Sequence, residues 1–126
     1  MEEVVAELAR AGASVRELGR NSMPGLAVFK DSVTFCVNSH RVSVSSFPSE
    51  EERHRVTAQI DQDDPSDLGD GFITWMDTPW YWEAGRIIVV YVGRSTEAVH
   101  LLTAIVGEPF VRGETRPREP VPGLSC

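Results

Sequence analysis

The stretch over residues 72–110, FITWMDTPWYWEAGRIIVVYVGRSTEAVHLLTAIVGEPF, holds all three tryptophans and both tyrosines of the chain. Its centre, residues 86–92, is apolar on both sides of a strand. Ile88, Val90 and Val92 point one way, and Ile87, Val89 and Tyr91 the other. A strand of this kind belongs inside a sheet and needs cover on both faces. Directly after it, Ala98, Leu101, Leu102, Ile105 and Val106 repeat at the helical period. Ser95 stands at the N-cap position of that helix, and Gly107 is placed to end it. The last helix and the two-sided strand therefore form the centre of the fold.

The remaining elements follow from pattern. A helix is expected over 2–11, with Val4, Val5 and Leu8 on one face and Gly12 as its stop. A short strand is expected at 14–18, then a turn cluster at 21–25. Val33, Phe35 and Val37 alternate with polar or smaller residues, as do Val42 and Val44, which predicts two strands with one wet face. Asn38-Ser39-His40-Arg41 joins them as a hairpin. Its serine stands where glycine is the easier choice, because a type I′ turn needs positive φ. Ser49-Glu50-Glu51-Glu52 reads as a capping box opening a helix to about residue 60. An acidic loop over 61–71, a strand at 72–76 and a turn at Asp77-Thr78-Pro79 complete the reading. The order is α-β-β-β-α-β-β-α. Most strand links are too short for parallel crossovers, so the fold class is α+β: an antiparallel sheet of four to five strands with helices packed on one side. Residues 1–111 form one domain, and 112–126 a flexible tail rich in Pro and Arg.

Composition excludes some functions. With a formal net charge of -7 and a pI near 4.9, the chain suits phosphate backbones poorly, and nucleic acid is not expected as a partner. Eleven arginines stand against a single lysine, Lys30. Coding bias in a GC-rich genome accounts for that skew. No apolar run approaches the length needed to cross a bilayer. The opening MEEVVAELARAG is an acidic amphipathic helix and not a secretory leader. Either the protein is cytoplasmic, or a leader preceded this sequence.

Chemical signatures are sparse. The loop DQDDPSDLGDG is rich in oxygen ligands, but Pro65 falls on a ligand position and no closing glutamate follows, so calcium is not expected. His40, His54 and His100 lie in three separate elements, without zinc spacing. His54 is expected on a wet helix face and His100 partly buried beside the apolar one. There is no nucleophile elbow, Walker loop or dinucleotide fingerprint. No catalytic residue, metal or cofactor is therefore assigned. Cys36 and Cys126 belong to no C-x-x-C unit. They read as a buried thiol and a tail thiol, or as a bridge if the tail folds back.

The unusual local feature is Pro79-Trp80-Tyr81-Trp82-Glu83. Three consecutive aromatics are not expected to point inward from one strand, so at least one should lie near the surface. Either Trp80 and Trp82 pack on the helices while Tyr81 points out, or the group forms a binding surface. Arg86 is placed to stack on one of these rings. Trp80, Tyr81, Trp82 and Arg86 are the candidate binding residues.

The pieces LARAGASVRELG, VTFCVNSHRVSVSSF, FITWMDTPWYWEAGRIIVVYVG and LLTAIVGEPF resemble a group of small, uncharacterised bacterial extracytoplasmic domains of the membrane-lipoprotein kind. Trp75, Pro79, Gly85, Arg86, Tyr91, Gly93, Gly107, Pro109 and Phe110 are the positions that carry the likeness. It implies export, often with a lipid-anchored cysteine after a leader, and it supplies no catalytic residue. An N-terminal anchoring cysteine is not present in this sequence, and Cys126 stands at the other end. The leading expectation is a non-catalytic extracytoplasmic domain that binds a protein or small ligand through an aromatic-rich surface. One alternative is a cytosolic enzyme or ligand-responsive regulator, with a pocket joining Asp77, Glu83, Arg86 and His100 near the acidic loop and the Gly93–Ser95 turn. The other is a structural accessory subunit of a larger complex.

Overall fold

The computed structural model describes residues 2–20, 27–61, 63, 78–113 and 126. In chain order the elements are α1 (Glu2–Arg10), β1 (Val15–Arg20), a 3-10 turn (Ala27–Phe29), β2 (Ser32–Val37), β3 (His40–Ser46), α2 (Glu50–Gln59), β4 (Pro79–Ala84), β5 (Ile87–Val92) and α3 (Thr96–Val106). The five strands form one sheet in the order β1-β2-β3-β5-β4, with every neighbouring pair antiparallel. The α+β class and the order α-β-β-β-α-β-β-α are those expected.

β5 lies between β3 and β4, and its two faces enter two different cores. Ile87, Val89 and Tyr91 join Trp80, Trp82, Val42, Val44 and Phe35 beneath Val4 and Leu8 of α1 and Ala98, Val99 and Leu102 of α3. Ile88 and Val90 join Tyr81 on the opposite face, beneath Val28 and Phe29 of the 3-10 turn, Ile60 at the end of α2, and Val111. The expectation of helices on one side is thus corrected: α1 and α3 cover one face, and α2 lies on the other. α2 has little apolar periodicity because its cover is supplied from its ends, by Phe47 before it and Ile60 after it, with Val56 alone between.

The penultimate strand also differs from the reading by pattern. Residues 72–77 lie outside those described, but Pro79 opens a strand instead of closing a turn. Proline is tolerated at the first position of a strand, where no ladder donor is lost. The turn that joins β4 to β5 is Gly85-Arg86, between the paired residues Ala84 and Ile87. Gly85 has a φ of +54° at the first turn position, which glycine adopts without a steric penalty. The free edge of β4 is covered. Tyr81 N–H donates to Val111 O (3.1 Å) and Phe110 N–H donates to Tyr81 O (2.9 Å). Such cover removes the unpaired backbone groups that invite edge-to-edge association.

Helix starts are as read. Ser49 Oγ accepts from Glu52 N–H and Ser95 Oγ accepts from Ala98 N–H, each at 3.2 Å. The β2–β3 hairpin turns on Asn38 and Ser39, with φ of +48° and +71°, the two positive values of a type I′ turn. The chain end returns to this turn. Cys126 is bridged to Cys36, 90 positions away, and Cys126 N–H donates to Ser39 O at 3.1 Å. The two cysteines are therefore joined. The flexibility expected of 112–126 falls mostly on residues 114–125, outside those described, while residue 126 is tied to the sheet.

Two stability changes are expected. Ser39→Gly removes an L-residue from a left-handed position at the cost of a more flexible unfolded chain. The net should be a gain of about 0.5–1 kcal/mol, seen as a higher urea midpoint at unchanged slope. A lower midpoint would contradict the turn assignment. Opening the Cys36–Cys126 bridge with a Cys36→Ser/Cys126→Ser pair should cost about 2–4 kcal/mol, because the closed loop is long. The parent, unfolded in guanidinium without reductant, should show no titratable thiol.

Candidate functional site

The three aromatics of β4 are all buried: Trp80 is 6% exposed, and Tyr81 and Trp82 are fully enclosed. The expectation that at least one lies near the surface is overturned, and so is an outward Tyr81. Trp80 and Trp82 face α1 and α3. Their rings stack at 6.2 Å, Trp80 Nε1 donates to Gly93 O and Trp82 Nε1 to Thr103 Oγ1, both at 3.2 Å. Tyr81 faces the other core and meets Phe110 edge-on at 5.8 Å. Burial pushes its phenol well above the ordinary tyrosine value. A sheet covered twice has two interiors, so consecutive rings can all point inward. These rings form no exposed surface.

Arg86 alone of the four candidates is exposed, and it stands on the wall of a cleft. The cleft holds about 590 Å³ and lies where α1, the end of β3, the start of α2, the β4–β5 turn and the end of α3 converge. Val4, Phe47, Ala84, Ile87, Ile105 and Val106 give it apolar lining, and Glu3, Glu7, Glu50 and Arg86 give it charge. Its volume lies within the usual range for small-ligand sites.

The turn that forms one wall is held from three directions. Arg53 Nε–H donates to Gly85 O at 2.9 Å, Phe47 N–H donates to Arg86 O at 2.8 Å, and an Arg86 N–H points at Pro48 O at 3.5 Å. Arg53 is buried in the middle of α2 and pairs with Glu83 Oε2 at 2.7 Å. It also meets His54 Nδ1 at 3.2 Å. Sequence reasoning missed Arg53, since one arginine in a helix with the run EEERHR looks like part of a solvated face. The usable signal was weak: Val56 and Ile60 define the inward stripe of α2, and Arg53 lies one turn before Val56 on it.

The alternative pocket does not assemble. Asp77 and most of the acidic loop lie outside the described residues. Glu83 points to the α2 side of the sheet, whereas His100 is on α3 on the other side. His100 is exposed, not partly buried as expected, because the apolar stripe of α3 passes through Ala98, Val99 and Leu102. At the Gly93–Ser95 turn the Ser95 amide and the Ser95 hydroxyl are both engaged. Ser95 N–H donates to Tyr91 Oη at 3.1 Å, and Ser95 Oγ takes Ala98 N–H. His40 Nε2 lies 3.4 Å from Ser95 Oγ and edge-on to Tyr91. Burial lowers its pKa, against an opposing pull from the Glu97 carboxylate. Among the described residues, no group of three or more His, Cys, Asp or Glu side chains is placed to hold a metal, and no helix is long and apolar enough to cross a membrane.

Compared with protein-family models, curated proteins and solved structures, the chain matches none.

The Arg53–Glu83 pair gives a direct test of what shapes the cleft. Arg53→Leu leaves Glu83 half-buried without its partner and frees Gly85 O, so it should cost about 2–3 kcal/mol. Adding Glu83→Gln should return part of that loss and leave the turn amides of Gly85 and Arg86 less protected from exchange. Unchanged stability in Arg53→Leu would show that the guanidinium does not anchor the turn.

Proposed function

We propose that the protein is a non-catalytic extracytoplasmic binding domain whose ligand site is the cleft beside Arg86. The observation that carries this reading is the cleft itself. It has an apolar lining, a few charged groups, and a wall fixed by a buried guanidinium, the composition expected of a binding site. The aromatic group serves it from behind. Trp82 packs beneath α3, the helix whose end supplies Ile105 and Val106, and thereby sets the position of one wall.

The Cys36–Cys126 bridge supports the extracytoplasmic part, since such bridges persist in oxidising compartments and are rare in the cytosol. A bound partner is either a small molecule or a segment of another protein. Glu83 and His100, two groups of the alternative enzyme reading, stand on opposite sides of the sheet, which favours the binding reading.

A mixed library of neutral, anionic and cationic fragments, followed by amide chemical shifts, tests the site. Responses should cluster at Phe47, Gly85, Ile87 and Ile105, and Ile105→Trp should abolish them by filling the cleft while the fold remains intact. Responses confined to the β1 edge, or none at all, would contradict the proposal.

A further inference from the structure

The cleft lining is unevenly charged. Three carboxylates, Glu3, Glu7 and Glu50, face a single guanidinium, Arg86. Glu7 is paired with Arg10 on the next turn of α1. Glu3 and Glu50 have no ion-pair partner among the described residues, and both are exposed. Arg86 forms no ion pair with either of them, and one of its N–H groups points at the Pro48 carbonyl at 3.5 Å, toward the β3–α2 junction. Glu3 comes from α1 and Glu50 from the first turn of α2, so the two carboxylates stand on different elements above a shared apolar floor that includes Val4, Ala84 and Ile105.

From this we infer that the cleft selects an amphiphilic organic cation: a primary ammonium or guanidinium carried on a short aliphatic body. The inference rests on the cleft being the ligand site. The aliphatic part is matched by the floor, where removal of apolar surface from water supplies most of the affinity. The charged head is matched by the two free carboxylates, which contribute selection more than strength because they stand in solvent. An anionic head meets like charge on the rim, an unfavourable element that sharpens discrimination. The overall charge of -7 adds a long-range attraction for cations. A small ligand is favoured over a protein segment because the cleft has the volume of a single small molecule.

Calorimetry at low ionic strength with n-octylammonium, octanoate and 1-octanol tests this on the intact chain. n-Octylammonium should bind saturably at one site and at least about tenfold more tightly than octanoate. Glu3→Gln/Glu50→Gln should weaken it about three- to tenfold, while Glu17→Gln on the β1 edge leaves it unchanged. Added salt should weaken it further. Octanoate or octanol binding as tightly as n-octylammonium overturns the cation selectivity but leaves the cleft as a ligand site. n-Octylammonium binding that ignores the Glu3/Glu50 pair, or responds equally to Glu17→Gln, is diffuse attraction to an acidic surface and overturns the inference. Tight binding only of an alternating Lys/Leu octapeptide overturns the small-ligand reading in favour of a protein partner. Binding of none of these probes, together with silent cleft amides in the fragment screen, overturns the cleft as a site altogether.

Discussion

A strand with apolar side chains on both faces has to be roofed twice, and the rest of this molecule is arranged around that need. Each fully buried Ile, Val or Tyr of β5 contributes roughly 1.5–3 kcal/mol through removal from water. A surface ion pair such as Arg55–Glu51 contributes about 0–1 kcal/mol, so the burial of β5 outweighs the charged surface. α1 and α3 supply one roof. The 3-10 turn, the ends of α2 and the strand-like segment at Phe110–Val111 supply the other. The second roof is assembled from short pieces far apart in the chain, which explains why no single amphipathic helix announces it.

The same arrangement produces the cleft. Where α1 begins and α3 ends on one face and α2 begins near the other, the tight β4–β5 turn projects between them. Its position is not set by the sheet alone. Arg53 reaches from α2 to the Gly85 carbonyl and to Glu83, tying the second layer to the turn. A buried ion pair is weak evidence for net stability, since desolvation offsets much of the attraction. Its value here is geometric, because it fixes the wall against which Arg86 and the rim carboxylates are placed.

Much of the architecture was legible from pattern. The helical repeat of α3, the caps Ser49 and Ser95 and the two-sided β5 all express local rules that tertiary context did not override. The alternation of Val33, Phe35 and Val37 marks one inward face of β2, but the wet face expected opposite it is corrected: Ser32, Cys36 and Ser45 are buried there, and Ser45 Oγ donates to Val28 O of the 3-10 turn. What was illegible depended on contacts distant in sequence. Trp80, Tyr81 and Trp82 break alternation, which calls for at least one surface ring, because cover of the second face by Phe110 and Val111 cannot be inferred from β4 itself. Pro79 was read as a turn for the same reason. Arg53 looked solvated because its partners, Gly85 and Glu83, lie thirty-two and thirty positions further on. The Cys36–Cys126 bridge was one of two open readings, and spacing alone does not choose between them. Of the four candidate site residues only Arg86 reaches the cleft, since exposure there follows from its place in a two-residue turn.

The double-roofed architecture depends on β5 being an interior strand. Amide hydrogen exchange, resolved by residue, tests this most directly. The amides of Ile88, Val89 and Val90 should exchange only through global unfolding, with the highest protection in the chain, while those of β1 exchange through local opening. Protection of β5 no greater than that of β1 would contradict the double roof, and the cleft built at its end would go with it.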